Sequence, residues 1–390
     1  MDVPALVWGL TIAGIVGLLL FDFVFHVRKA HIPTLPEAAL WSAIYVGAAV
    51  VFGLGVWWWG GATLGTEYFA GYVTEKALSV DNLFVFLVIM ASFKVPRADQ
   101  QKVLLFGIVF ALIARSAFIF AGVALINLFS WVFYLFGAIL LWTAYSLVRG
   151  GDEDDEADNF VIRFARKRLR TSEHYDGDKL FTMENGKRVL TPMLLVMIAI
   201  GGTDLLFALD SIPAIFGLTS NAYIVFTATA FSLMGLRQLF FLIDGLLDRL
   251  VYLSYGLAVI LGFIGVKLVL HALHENSLAF VNGGEPLPVF EISTGLSLAV
   301  IIGVLAVTVV ASLFSPAGRA KSVSSAARKH ATDALDEELD VVTRTTNHDR
   351  LLEDEKRIAA LPDNRYGTEV REDTELRELI ERAHREHALR

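Results

Sequence analysis

The sequence predicts an all-α, polytopic membrane protein of about nine transmembrane helices. Hydrophobic residues make up 55% of the 390 positions, and the mean hydropathy is +0.56. The apolar residues occur in long runs, and a bilayer core about 30 Å thick needs roughly 20 of them per helical span. Nine segments qualify as spans: 3–25, 37–59, 68–91, 103–125, 128–148, 192–215, 220–243, 250–271 and 293–314.

The distribution of Lys and Arg predicts the orientation of these spans. The loops after spans one, three, five and seven contain basic residues, whereas the loops after spans two, four, six and eight contain none. Short basic loops stay on the cytoplasmic side of a membrane. We therefore expect a multi-pass protein of the cytoplasmic membrane, with its amino terminus outside and its carboxyl terminus inside.

Two polar segments interrupt or follow the predicted bundle, which we assign to residues 1–315. A loop over 150–190 carries an acidic run and then a basic stretch, as expected of a cytoplasmic linker. The tail, 316–390, carries 14 basic and 17 acidic residues, with scattered apolar positions and a break at Pro362. We expect exposed helices or partial disorder there, and the tail is a candidate contact for a protein partner.

Four carboxylates lie inside the apolar runs, in two pairs with the same spacing. The two acids of each pair lie six residues apart, and each acid has a polar neighbour: Thr74-Glu75 with Asp81-Asn82, and Thr203-Asp204 with Asp210-Ser211. An ionisable group within a span is costly and is a functional candidate by default. The repeated frame indicates an internally duplicated site.

The spans that follow these frames support the duplication. Arg115-Ser-Ala-Phe and Arg237-Gln-Leu-Phe occupy similar places after the first and second frames. Two units of three spans result, about 68–148 and 192–271. Because three is odd, the second unit is inverted relative to the first, an architecture common among secondary transporters.

Helix geometry limits how these acids can meet. Positions seven apart share a helical face, whereas positions six apart are offset by about 120° and about 9 Å along the axis. Four carboxylates therefore cannot converge from ideal helices. We expect a local break near Gly71, Gly201, Gly202 or Pro213 that would also expose backbone carbonyl groups.

The chemistry of the predicted site is that of oxygen ligands. Carboxylates, an amide and hydroxyl groups suit hard divalent cations such as Mg²⁺, Ca²⁺ or Mn²⁺. The chain has no cysteine, which excludes thiolate ligands, disulfides and thiol redox chemistry. Neither polar segment contains a nucleotide-binding loop or a nucleophile motif. We expect no enzymatic activity, no permanently bound cofactor and no nucleic-acid partner, but a metal ion as substrate and the lipid bilayer as surroundings.

A structural interpretation of the same residues stays open. Arg115 and Arg237 could pair with the acids and hold the bundle together rather than tune an ion site. Asp22 and Lys267 lie near span ends, where interfacial pairing is expected rather than ligation.

Two segments resemble the signature stretches of a known family. Glu75-Lys-Ala-Leu-Ser-Val-Asp81-Asn82 and Thr203-Asp204-Leu-Leu-Phe-Ala-Leu-Asp210-Ser211 are similar to those of the TerC integral membrane proteins, named for tellurium resistance and grouped with LysE-type exporters. The resemblance covers about residues 5–315. It implies manganese efflux, and a metal role for Glu75, Asp81, Asn82, Asp204, Asp210 and Ser211, with Thr74, Thr203, Arg115 and Arg237 in support.

Two other functions remain open at this point. A non-transporting membrane scaffold for stress response or membrane-protein insertion would account for the charged tail. Resistance to tellurite or another oxyanion is the weaker alternative, because the span interiors offer mainly two arginines against four acids.

Overall fold

The computed structural model describes residues 3–27, 34–93, 95–129, 131–149, 172, 179–184, 187–243, 250–276, 281–335 and 341–388. The chain divides into two compact units. The first comprises Met1–Leu242 and Ser254–Leu305, and the second comprises Ile243–Leu253 and Ala306–Arg390. The first unit contains the predicted ion site.

The described residues confirm a polytopic helical protein. Eight helical segments are long and apolar enough to cross a membrane. They are built from α1 (Ala5–Asp22, continued by a π-helical turn to Val27), α2 (Leu35–Ser92), α3 (Arg97–Leu128), α4 (Val132–Arg149), α5 (Pro192–Phe216), α6 (Ala222–Leu233), α7 (Leu236–Ile243), α8 (Leu253–His274) and α9 (Thr294–Phe314).

Helix α2 contains two of the nine predicted spans. Its apolar stretch of 55 residues would be about 80 Å long if straight, more than twice the bilayer core. The backbone turns at Gly61, where φ is +85°, and the two halves fold against each other. The rings of Phe52 and Tyr68 lie 5.4 Å apart, and the Tyr68 hydroxyl donates to the Ala49 carbonyl at 3.0 Å. The predicted boundary between spans two and three is therefore a glycine turn within a hairpin.

The predicted span 220–243 is broken into α6 and α7. Gly235 has a φ of +83°, a conformation that costs other residues about 1–2 kcal/mol. The break leaves carbonyl groups at the end of α6 without helical partners. The Lys76 ammonium group donates to one of them, the Ser232 carbonyl, at 3.0 Å.

Helix α5 packs against α2, α3 and α4, and it approaches α3 closely. A Cβ atom added to Gly107 would lie 2.9 Å from Ile200, and one added to Gly201 would lie 2.9 Å from Phe110. The glycines near the acidic frames thus permit close packing. The helix break expected near Gly71, Gly201, Gly202 or Pro213 is wrong, because α2 and α5 continue through these positions and the break lies at Gly235.

Most of the predicted loop 150–190 lies outside the described residues. Its end forms an antiparallel hairpin of β1 (Phe181–Glu184) and β2 (Lys187–Leu190). The tail is helical over α10 (Pro316–Leu335), α11 (Val341–Ala359), α12 (Arg365–Glu372) and α13 (Thr374–Ala388). These helices enclose a small core of Ala327, Ala331, Leu351, Leu376, Ile380 and Ala383.

Candidate functional site

The centre of the site is the guanidinium group of Arg115. This residue lies near the middle of α3 and is fully buried. Nε and Nη2 donate to the two carboxylate oxygens of Asp204 at 3.2 and 3.0 Å, and Nη1 donates to Glu75 and, at 3.0 Å, to the Ser211 hydroxyl. One cation therefore binds carboxylates from two different helices, α2 and α5.

The arrangement carries more negative than positive charge. Glu75 and Asp204 are at most 3% exposed, and one guanidinium group balances only one of their two charges when both are ionised. Glu75 Oε1 also accepts from Ser79 at 3.4 Å. Its second oxygen, Oε2, is buried, with no hydrogen-bond partner among the described residues. One carboxylate oxygen of the cluster, Glu75 Oε2, is therefore available to a further ligand.

The other two predicted acids, Asp81 and Asp210, lie on the same two helices as Glu75 and Asp204. Asp210 interacts electrostatically with Arg115 and with Asp81, so all four acids belong to one region of charge. The six-residue spacing explains the arrangement: on unbroken helices, only one acid of each pair can face Arg115. Among the described residues, no three His, Asp or Glu side chains are gathered as a group that could hold a metal ion.

The remaining predicted residues of the two frames occupy matching places. Thr74 and Thr203 are buried, and each donates its hydroxyl to the carbonyl group four residues earlier, of Ala70 and Ala199, at 2.8 Å. They therefore satisfy their own helices. Asn82 is buried seven residues after Glu75, on the same face of α2 and about 10 Å further along it.

Arg237 does not join the predicted site. Its Nη2 pairs with Asp22 of α1 at 2.7 Å, its Nη1 donates to Gln101, and Gln238 donates to Asp22 at 2.9 Å. Asp22 is only 5% exposed and is paired at the end of α1, as expected of an acid near a span end, whereas its position relative to the membrane interface stays a prediction. These partners were missed because 215 residues separate Asp22 from Arg237, and nothing in the local pattern links them.

A polar cavity lies at the carboxyl end of α5. A cavity of about 420 Å³ is lined by Glu67, Thr219, Lys267, His271 and Glu291 among others. Thr219 donates to Glu67 at 2.5 Å. Glu67 precedes Glu75 by eight residues on α2, about 12 Å along the helix axis. One polar residue of the cavity wall, Glu67, therefore lies on the same helix as Glu75.

Comparison with known proteins agrees with this architecture. The model of the "Integral membrane protein TerC family" matches residues 60–320. The chain is 57% identical over 393 residues to the uncharacterized membrane protein Rv2723 of Mycobacterium tuberculosis (strain ATCC 25618 / H37Rv), covering 98% of each chain.

A second group of relatives is more distant. The chain is 36% identical over 313 residues to Alx of Escherichia coli (strain K12), covering 78% of this chain and 92% of the relative. The name of that protein gives it a proposed role as a membrane-bound redox modulator. No solved structure matches. With a family model covering more than half of its length and a helical bundle around paired buried acids, the chain is a multi-pass integral membrane protein of the TerC family.

Proposed function

We propose that the protein exports a divalent metal ion, Mn²⁺ in particular, across the cytoplasmic membrane by alternating access. The observation that carries the proposal is the shared guanidinium group: two buried carboxylates from two helices meet one arginine, with a carboxylate oxygen left over. A buried surplus of negative charge is stabilised by a cation. The amino terminus would then lie outside and the charged tail in the cytoplasm.

The ligand set determines the class of ion. Carboxylate, hydroxyl and amide oxygens bind hard divalent cations, and the absence of cysteine leaves no thiolate ligand. The choice of Mn²⁺ among these cations is an inference from the resemblance to the TerC family. An oxyanion substrate is disfavoured, because Arg115 already uses four of its N–H groups on Glu75, Asp204 and Ser211.

Competition for the same oxygens suggests how the ion would be bound and released. The Arg115 guanidinium is tethered to α3 and, when no ion is bound, hydrogen-bonds both carboxylates while balancing one of their two charges. An entering ion would take over oxygens from the guanidinium, and its departure would restore the ion pair. Protonation of a carboxylate is another way to remove its charge, so exchange of metal for protons is part of the proposal.

A flux assay in liposomes containing the purified full-length protein tests the proposal. Glu75→Gln and Asp204→Asn should each reduce Mn²⁺ flux at least about tenfold, because losing one charged ligand costs more than about 1.4 kcal/mol of binding. Asp22→Asn is the matched control, since it removes a buried acid paired with the other arginine. Equal flux in all four proteins and in empty liposomes would contradict transport.

The scaffold function remains the second candidate, because the tail forms helices around its own small core. Truncation of the tail, followed by the flux assay and by a stress assay in cells, separates the two functions. A chain that ends at residue 320 should retain most of the Mn²⁺ flux if the bundle is the transporter. Loss of a cellular stress phenotype with flux intact would instead favour the scaffold. Thiol-based redox modulation is not available to this chain, which lacks cysteine.

A further inference from the structure

The tail unit contains a cluster of imidazole rings. His348 lies on α11, and His384 and His387 lie three residues apart on α13. Residues three apart share a helical face, so α13 presents both rings to α11. His348 Nε2 lies 3.0 Å from His384 Nδ1, and the rings of His348 and His387 stack with centroids 3.8 Å apart.

A carboxylate orients one of these rings. Glu355 lies seven residues after His348 on α11, and its Oε2 is 3.0 Å from His384 Nε2. A carboxylate that accepts from one ring nitrogen leaves the lone pair on the other, the arrangement found around metal-binding histidines. His384 Nδ1, the nitrogen that faces His348, is thereby prepared as a donor atom.

His348 supplies a second, independent observation. The residue is 8% exposed, and its Nδ1 is a buried polar atom without a hydrogen-bond partner among the described residues. An unpaired buried nitrogen is costly. Because Nδ1 is not the nitrogen that faces His384, it would carry the ring proton when Nε2 becomes a ligand. The outer ring of the cluster, His387, is exposed, so an ion could enter from solvent.

We propose that His348, His384 and His387 form a binding site for a borderline transition-metal ion such as Zn²⁺, Ni²⁺ or Co²⁺, with Glu355 orienting His384. As placed, no three His, Asp or Glu donors of the described residues form a ready metal site. Binding replaces the His348–His384 hydrogen bond and turns the His387 ring from its stacked position. The 3.0 Å separation of the two ring nitrogens is close to the roughly 3.3 Å between ligands of a tetrahedral ion with bonds of about 2.0 Å.

This site would differ from the buried acids in ion preference. Imidazole favours Zn²⁺, Ni²⁺ and Co²⁺ over Mn²⁺, which stands at the weak end of the affinity series, whereas carboxylate oxygens suit Mn²⁺. The site lies beyond residue 320, where the family match ends. It does not depend on whether the membrane bundle transports Mn²⁺.

Titration of the purified full-length protein with Co²⁺ tests this proposal, because the visible absorption of Co²⁺ reports nitrogen ligands and coordination number. We expect one equivalent to bind with a tetrahedral spectrum and to be displaced by Zn²⁺. His348→Ala and His384→Ala should abolish that spectrum. His387→Phe, which keeps a ring for stacking, should weaken binding without disturbing the fold. Glu355→Gln should weaken it about 10- to 100-fold.

Two control variants make the result specific. His330→Ala alters a histidine of the same unit that pairs with Asp354, and Glu75→Gln alters the membrane site; both should leave the Co²⁺ spectrum unchanged. Unchanged binding in His387→Phe and Glu355→Gln would overturn the proposal, as would the absence of saturable binding to the unmodified protein.

Discussion

The two buried arginines, Arg115 and Arg237, differ in the charge that surrounds their guanidinium groups. Arg115 faces two carboxylates and a hydroxyl group, so its surroundings hold more negative charge than it neutralises. Arg237 faces one carboxylate and one amide oxygen, so its cluster is balanced. A balanced buried pair is a means of joining helices, whereas a surplus of one sign needs a further partner. The difference places the candidate ion site at Arg115 and a structural role at Arg237.

Replacing each arginine should show the difference most strongly. Removing one partner of a buried ion pair costs about 3–5 kcal/mol, so Arg115→Met and Arg237→Met should both lower the free energy of unfolding in detergent. Mn²⁺ should restore part of the loss in Arg115→Met, because two acids remain to bind it. It should restore little in Arg237→Met, where only Asp22 remains. Equal responses to Mn²⁺ would remove the distinction between the two clusters.

A smaller effect is expected at the turn that places Arg237. Gly235→Ala should destabilise the protein by more than the about 1–2 kcal/mol that a positive φ costs an alanine, because the new Cβ would lie 2.8 Å from Tyr45 Cβ. Gly61→Ala is the matched control, with a similar φ of +85° and nothing within 4 Å of its Cβ. Thermal unfolding of both variants measures the difference, and equal losses would show that contact with Tyr45 is unimportant.

The smallest expected effect concerns the histidine cluster of the tail, His348, His384 and His387. In the tail, burial lowers the pKa of His348 below its usual 6.5, and the neighbouring His387 and His384 lower it further. The negative charges of Asp349 and Glu355 raise this pKa, but their effect is smaller. The unfolded chain therefore binds this proton more readily than the folded chain. The contribution of neutral His348 to the stability of the folded tail is therefore complete above about pH 6.5 and declines as the pH falls below that value.

Protease sensitivity of α11 and α13 should accordingly rise between pH 7.5 and 5 in metal-free protein. His348→Phe should flatten this dependence, because the buried group no longer titrates, whereas His330→Ala should not. A pH dependence that persists in His348→Phe would show that another titrating group causes it.

The sequence predicted the spans well because hydropathy acts locally, whereas the orientation inferred from loop charge stays a prediction. The hairpin at Gly61 agrees with the two predicted spans that flank it. The break at Gly235 was not predicted, because the chain has 31 glycines and only tertiary packing decides which of them adopts a positive φ. The inverted repeat and the metal roles of the six residues remain predictions.

The metal site stays a prediction, but the spacing of its acids limited the possible geometry. The six-residue spacing implied that both acids of a pair cannot face one point, and one acid from each pair, Glu75 and Asp204, forms an ion pair with Arg115. The choice between Arg115 and Arg237 could not be made from matched motifs. It depended on Asp22, a residue of the first helix, reaching Arg237 from the opposite end of the bundle's sequence.

The family match begins at residue 60, yet residues before that point make buried contacts with the matched segment. Residues before that point supply Asp22, an anionic partner of Arg237, and the Ala49 carbonyl that accepts from the hydroxyl of the fully buried Tyr68. A shortened chain that kept just the matched segment would leave the Arg237 guanidinium without Asp22 and the buried Tyr68 hydroxyl without its acceptor. Protein engineers who seek a minimal version should therefore trim from the carboxyl end.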